Sequence, residues 1–393
     1  MALPLSYSLR SLFARRLRTF LTVSVIALVV VASTLFLSLI SSLERTLVST
    51  GDERNLIVMR KGSGNDGSSQ LSLQALQDIR FLPGIERGDS GDPMISPELV
   101  VQPFMWRADG SRENVLVRGV EPDQALRVHS EVEVAEGRMF QPSSGEAVVG
   151  AGVAGRYVGA QLGDTLEFGR GRWKVVGVLE AGGSSFESEV WVDARELAND
   201  AKRPFPYSSF RLRVAAGADR EALARRIGDD PRHALEAEPE TEYYAKQAES
   251  AGTLYVLVIG LAVLSGIGAV FGATNTLYAA VQARTAEIGT LRAIGFSRAS
   301  ILVSFLVESL VTALIAFAVG AAVASVLGIA VSSALGGIGF GAATFTTNVI
   351  QLRVGASDLV AALILALVIG IFGGLAPARQ AAALRPVEAL RKG

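Results

Sequence analysis

The sequence predicts an α-helical membrane protein with four transmembrane helices in a 1+3 arrangement and an α+β extracytoplasmic domain between helices 1 and 2. Three observations predict it. First, four runs carry no charged residue: Phe20 to Ile40, Ser250 to Ala283, Ser309 to Leu352 and Leu359 to Ala378. Each is long enough for the roughly 20-residue apolar helix that a bilayer core requires. Second, the polar block from Leu43 to Glu249 holds all three tryptophans, Trp106, Trp173 and Trp191, which suits a packed core of its own. Third, basic residues crowd the short segments on one side of the spans.

Composition agrees with this division. Half of the 393 residues are hydrophobic and 19% are charged, with a mean hydropathy of +0.37. That lies between a soluble and a wholly intramembrane chain. A net charge of −1 supplies no bulk basic field, so no nucleic-acid partner is expected. The absence of cysteine excludes disulfides and thiolate chemistry and does not reveal the compartment.

Arg10, Arg15, Arg16 and Arg18 precede the first span. Arg284, Arg292 and Arg298 lie between spans two and three, and Arg379, Arg385, Arg391 and Lys392 follow span four. The segment between spans three and four offers only Arg353. The positive-inside rule therefore predicts cytoplasmic termini and a cytoplasmic 284–298 loop. The first run is longer than a signal-peptide core and lacks a clean small-x-small cleavage site, so it is read as a retained helix.

The expected order starts with a cytoplasmic segment at 1–19, then helix 1 with the start of a stalk at 20–42. The extracytoplasmic domain follows at 43–249, with an inserted subdomain placed by family analogy near 116–204. Helix 2 takes 250–283, a coupling helix and loop 284–298, and helix 3 299–330. An extracytoplasmic loop at 331–357, helix 4 at 358–378 and a cytoplasmic tail at 379–393 complete it. Within the outer domain, Asn55–Arg60, Asn114–Val120, Glu146–Gly150 and Trp173–Leu179 read as strands. Gly169–Arg172 reads as a turn, and Leu71–Arg80 and Asp219–Ile227 as helices. Lys61–Ser69, rich in Gly and Ser, reads as a flexible loop. Leu39, Leu43 and Leu47, spaced by four, and the helix-compatible Thr241–Ser250 read as stalks continuing the spans. Plain linkers are the alternative.

Several motifs invite chemistry that their surroundings do not support. Gly150-Ala-Gly152-Val-Ala-Gly155 matches G-x-G-x-x-G after a strand. A dinucleotide site needs a long helix next, and Gly159 and Gly163 interrupt instead, so a glycine-rich turn is expected. The only histidines, His129 and His233, lie far apart in sequence. The outer domain's acids are read as a solvated face. No catalytic constellation and no metal site are expected. Without a Gly-Lys pair there is no phosphate cradle, so the protein is not expected to hydrolyse ATP itself and no cofactor is expected to bind directly.

Gly268-xxx-Gly272 and Gly370-xxx-Gly374 let helix backbones approach closely, within one chain or across a dimer. Tyr255 and Tyr278 sit near the ends of span two, as interfacial aromatics do. Glu308 is an intramembrane acid and by default a functional candidate. A place near the interface, or an interhelical hydrogen bond, is the preferred reading, because no intramembrane base is evident nearby. Gln282–Ile294 reads as a short amphipathic helix, with Ile288, Leu291 and Ile294 at spacing three and Arg284 and Glu287 as an i,i+3 pair. Gly295 suits the C′ position and Ser297 the N-cap of span three. Such a helix serves a partner-docking element or an interfacial connector equally well.

The run Arg284-Thr-Ala-Glu287-Ile288-Gly289-Thr-Leu291-Arg292-Ala293-Ile294-Gly295-Phe-Ser297-Arg298 resembles the signature of FtsX-like permeases, including MacB-type and lipoprotein-releasing ABC transporter subunits. Pro377-Ala378-Arg379 with Pro386-Val387-Glu388-Ala389-Leu390-Arg391 resembles that family's tail, and Arg15–Thr22 its N-terminal flank. Val117–Val120, Glu136–Phe140 and Trp173–Val178 resemble the MacB-type periplasmic domain. One departure is Arg385, where the family tail usually has an acidic or polar residue before the proline.

The resemblance implies a dimerising, non-catalytic permease subunit in the bacterial inner membrane. Its partners would be an ABC ATPase subunit, itself or a homologous permease, and a periplasmic adaptor protein. Arg284, Glu287, Ile288, Gly289, Leu291, Arg292 and Gly295 would lie on or beside the ATPase-coupling helix. ATP hydrolysis by the partner would move the outer domain for export or extraction. The alternative is a signalling transducer that activates an extracytoplasmic enzyme such as a cell-wall hydrolase.

Overall fold

A computed structural model describes residues 16–249, 252–335, 338–341 and 347–385. Arg10, Arg15 and the tail from Pro386, including Arg391 and Lys392, lie outside the described residues. So do the side chains of Arg16, Arg18 and Tyr255. The described residues fall into two units. One comprises those within Met1–Ser41, Thr253–Val331 and Leu352–Gly393; the other comprises those within Ser42–Gly252 and Ser332–Gln351.

The first unit is helical. Its long helices are α1 (Arg16–Val48), α7 (Gly252–Gln282), α9 (Arg298–Leu335) and α10 (Ala356–Ala383), with α8 (Thr285–Ala293) between α7 and α9. The four long ones are long and apolar enough to cross a membrane. They pack through small residues, as helices must where no hydrophobic drive separates protein from lipid. A Cβ built on Gly370 would meet Ala313 Cβ at 2.8 Å, and one on Gly374 would meet Ser309 Oγ at 2.6 Å. Ser309 Oγ donates to the Gly370 carbonyl at 2.6 Å, across the same approach of α9 and α10. Gly272 lies against Val25 of α1, whereas a Cβ on Gly268 would meet open space.

The two glycine motifs therefore part company. Gly370→Val is expected to force α9 and α10 apart and cost about 2 kcal/mol. Gly268→Val should stay near neutral. Thermal retention of the monodisperse detergent-purified peak compares them, and equal losses would contradict the packing.

Pro377 lies inside α10. A helix-interior proline leaves the carbonyl four residues earlier without its N–H partner. Here that carbonyl belongs to Gly373, and Thr274 Oγ1 of α7 donates to it at 3.1 Å. At the opposite end of α10, Asp358 Oδ2 accepts from the Gly355 amide at 2.8 Å. The same carboxylate accepts from Ser38 and Ser41 of α1, each at 2.9 Å.

The second unit is α+β. A ten-stranded sheet runs β12-β1-β11-β2-β5-β10-β7-β9-β6, with β8 also on β9. The strands are β1 (Asn55–Arg60), β2 (Ile95–Val101), β5 (Leu116–Val120), β6 (Glu133–Gly137), β7 (Glu146–Gly150), β8 (Thr165–Phe168), β9 (Gly171–Glu180), β10 (Glu189–Asp193), β11 (Ser209–Arg213) and β12 (Leu235–Pro239). β3 (Phe104–Trp106) and β4 (Arg112–Asn114) pair apart from it. Strand β2 serves two halves. Its residues 95–98 pair with β11, and 99–101 with β5. One core gathers Leu56, Ile79, Ile95, Phe210, Leu223 and Ile227 on the β11 side. Another gathers Val117, Val149, Phe168, Trp173, Val175 and Val190 on the β5 side.

Five helices accompany the sheet: α2 (Leu73–Ile79), α3 (Pro122–Val128), α4 (Ala194–Asp200), α5 (Arg220–Gly228) and α6 (Glu240–Glu249). Local signals start them. Ser72 caps α2 by accepting from Ala75 N, and Asp219 caps α5 by accepting from Ala222 N. The stalk segments pair within this unit: Leu43 and Leu47 of α1 pack with Ala248 of α6.

Gly150–Gly155 is a turn with no helix behind it, as its glycines imply, and a Cβ on Gly150 would meet Glu187 O at a distance of 2.2 Å. Other expectations need correction. Lys61–Ser69 is not a plain loop. Asp66 starts a 3₁₀ turn at 66–68, is buried, and its amide donates to Tyr243 Oη at 3.1 Å. Trp106 is not a core residue: it is 56% exposed, whereas Trp173 and Trp191 are buried. The segment after span three is not a mere loop either. It holds a hairpin of β13 (Ile338–Gly341) and β14 (Thr347–Ile350). The Val349 amide of that hairpin donates to Ser188 Oγ at 2.8 Å.

Candidate functional site

Helix α8 is set by its ends. At its C-terminus the Phe296 amide donates to Leu291 O at 3.1 Å and the Gly295 amide to Arg292 O at 3.2 Å. Gly295 has φ +105°. This is a complete Schellman motif, whose left-handed residue favours glycine. Phe296 and Leu291 pack into the same apolar cluster, as that motif's C″ and C3 residues do. Ser297 then accepts from Ser300 N at 3.1 Å and starts α9. At the N-terminus, Arg284 occupies the cap position between α7 and α8.

These ends fix which way α8 faces. Ile288 is 3% exposed and packs with Val281, Ile301, Phe305, Ala378 and Ala381. Gly289 is buried beside it, and Leu291 and Arg292 are half-buried. Arg292 Nη1 donates to Phe296 O at 3.0 Å, a cation at the negative end of the helix. The outward face is Ala286, Glu287, Thr290, Ala293 and Ile294, the last 67% exposed.

Arg284 turns inward. Its Nη1 donates to both carboxylate oxygens of Glu308, at 2.9 and 3.2 Å. Its guanidinium carbon stands 5.8 Å from the Phe305 ring centroid. Glu287 approaches Arg284 Nε at 3.7 Å from the exposed side. One expectation changes here: Glu308 does have a base beside it, and its interhelical contact is an ion pair. Arg284 and Ile288 hold α8 to the bundle, and Gly289 is buried beside them.

The outer domain carries a second constellation, on the polar face of β2, β5 and β11. Glu98 is fully buried and accepts from Arg118 Nη1 at 2.6 Å and from Arg211 Nη1. His129 Nε2 lies 2.6 Å from its other oxygen. Arg118 also grips Glu189 through two bonds of 2.6 Å. Arg211 Nε donates to Glu240 at 2.8 Å, and its Nη2 to Tyr244 Oη at 3.1 Å. Glu240 is the first residue of α6, and it also accepts from Asn55 Nδ2 at 3.0 Å and Asp52 N at 3.2 Å. Helix α6 is thus rooted in the ion cluster.

Burial alone would raise the Glu98 carboxyl, but Arg211, Arg118 and His129 overcome it and hold the acid well below the usual range. Burial alone would lower His129, and the Glu98 carboxylate reverses this, raising its pKa to about 9. Glu131 stands 3.8 Å from His129 Nδ1, too far for a hydrogen bond.

Residues 19–230 match the MacB-like periplasmic core domain, and residues 259–386 match the FtsX-like permease C-terminal domain. The chain belongs to the FtsX/MacB-type ABC permease family. Among relatives, the macrolide export ATP-binding/permease protein MacB of Rhodopseudomonas palustris is 28% identical over 96% of this permease and 58% of its own length. That of Chlorobium luteolum is 28% identical over 97% and 59%. This permease therefore spans about three-fifths of the length of those relatives. The periplasmic region of MacB from Actinobacillus actinomycetemcomitans aligns with 49% of this permease and 92% of that chain, at 11% identity and TM-score 0.38. The permease is a transmembrane protein with an extracytoplasmic α+β domain between helix 1 and the rest.

Reading the sequence missed the permease's buried ion cluster and the inward turn of Arg284. A signal for the first existed. In Ser209-Phe-Arg-Leu-Arg213 the apolar and cationic residues alternate, which assigns two faces. Nothing local says that α6 and residues 66–68 bury the cationic face as well.

Proposed function

We propose that this permease couples ATP hydrolysis in an ABC ATPase subunit to movement of its extracytoplasmic domain, for export or extraction of a substrate. The observation that carries the reading is the orientation of α8. Its inner face is tied to α7, α9 and α10, while Ala286, Glu287, Thr290, Ala293 and Ile294 stand outward. A partner pressing on that outer face acts on three helices together. Arg284, Arg292 and Arg298 in this segment, with Arg379 near the C-terminal end of α10 and Arg385 after it, support a cytoplasmic placement for both.

In this reading two copies, or one copy and a homologous permease, each receive an ATPase. Closure of the ATPases displaces α8, the spans follow, and α1 and α6 carry the motion outward. A periplasmic adaptor protein completes an export assembly.

Ile294→Glu tests the docking face. A charge at an exposed apolar contact leaves the fold intact and is expected to weaken ATPase retention at least about tenfold. Affinity purification from the native membrane, with the ATPase quantified by mass spectrometry, measures it. Retention equal to that of the unmodified permease would remove α8 from the docking surface. Glu287→Lys should likewise uncouple ATP hydrolysis from activity in a folded protein.

A further inference from the structure

The pair Arg284–Glu308 is the remaining feature of the helical unit that packing does not explain. Both residues are buried, at 5% and 8% exposure. Their bond joins the cap of α8 to a point roughly ten residues, or about 15 Å, along α9 from its start. Glu308 is the first carboxylate along α9, so the pair joins α8 to the body of that helix and not to its first turn.

We infer that Arg284–Glu308 is the latch that transmits displacement of α8 into α9 and α10, with Glu308 as a positioning residue. The inference rests on the proposed coupling function and deepens it.

Three observations support the latch. First, Arg284 joins two helices by itself: its amide donates to Val281 O at the end of α7, and its carbonyl accepts from the Ile288 amide of α8. Displacing either helix moves the guanidinium. Second, the two-pronged grip of one Nη1 on both Glu308 oxygens is charge-assisted and directional. An apolar contact slides under load, whereas this contact keeps its register or breaks. Third, Glu308 adjoins Ser309, whose Oγ holds the Gly370 carbonyl where α9 and α10 are in close contact. Thr312 Oγ1 also donates to the Glu308 carbonyl at 2.8 Å. The chain of contacts is Arg284, Glu308, Ser309, Gly370, each a hydrogen bond or a peptide neighbour.

A lone buried charge is costly, so single substitutions risk the fold. The apolar pair Arg284→Met with Glu308→Leu avoids this: it keeps the volume and removes both charges together. The permease contains no cysteine, so Val48→Cys, at an exposed position on α1, gives a unique reporter. The complex is purified from its own membrane. Retained ATPase is quantified, and maleimide labelling at position 48 is timed with and without ATP and vanadate.

The unmodified pair should show ATPase retention and a nucleotide-dependent labelling rate. The apolar pair and Glu308→Gln should retain the ATPase in the same proportion and lose the nucleotide response. The exchange Arg284→Glu with Glu308→Arg should recover some of it. A full response in the apolar pair would overturn the latch, as would loss of ATPase from that pair. If the reporter protein with its native Arg284 and Glu308 holds no ATPase, it is the coupling function itself that fails.

Discussion

Glu98→Gln is expected to destabilise the outer domain by about 3–5 kcal/mol. The substitution keeps the shape and removes the one carboxylate that Arg118, Arg211 and His129 share. Glu189 still holds Arg118 and Glu240 still holds Arg211, so the structure is weakened and not abolished. The cost comes from buried cations that have lost a partner in a medium that cannot solvate them. All three tryptophans lie in this domain, and Trp191 Nε1 donates to Glu189 at 3.1 Å, inside the same network. Tryptophan fluorescence therefore follows this domain alone during thermal unfolding of the whole permease. For a domain of this size the shift is on the order of 10 °C downward. A melting temperature within the noise of the unmodified protein would mean that the cluster is not an energetic unit.

His129 gives the second large effect, through pH. Its folded pKa of about 9 stands above the ordinary histidine value of 6.5. The folded domain thus keeps a proton that the unfolded chain releases between those values. This stabilisation is fully present below about 6.5, declines as pH rises, and is lost by about 9, amounting to about 3 kcal/mol. Glu98 works in the opposite sense. Its folded pKa is depressed, so its contribution is present above the usual carboxylate pKa and is lost in acid. The outer domain should therefore be most stable in mildly acidic solution and weaken toward alkaline pH. Melting temperatures of the permease and of His129→Gln across that window decide the matter. The variant should be less stable at low pH and show a flatter alkaline limb. Parallel curves would assign the pH dependence to other groups.

Both effects belong to residues whose role could not be read from the chain. Arg211 sits in Ser209–Arg213, whose apolar and cationic residues alternate, but a period of two assigns faces without saying which face meets water, and the segments around Glu98 and Arg118 do not alternate at all. Here both faces are covered, one by the apolar cores and the other by α6, the turn at 66–68 and His129. The inward role of Arg284 was hidden for a related reason. The sequence pairs it with Glu287 three residues on, and that contact exists. The stronger partner, Glu308, is 24 residues away and comes into reach only when α7 and α9 pack.

What the sequence by itself determined is local. Charge-free length set the four spans, and the charge pattern divided membrane from outer domain. Ser297 and Gly295 marked helix ends that the structure reproduces, because a cap needs only neighbours within one turn. The tertiary structure alone decided which glycines of the two motifs meet a neighbouring helix: Gly272, Gly370 and Gly374 do, and Gly268 does not. It also decided which tryptophan lies open to solvent, and which charges are buried together. Those outcomes depend on what covers a face, and the covering residues are remote in sequence. Burial free energy is assigned by the partner surface, and local periodicity carries no record of it.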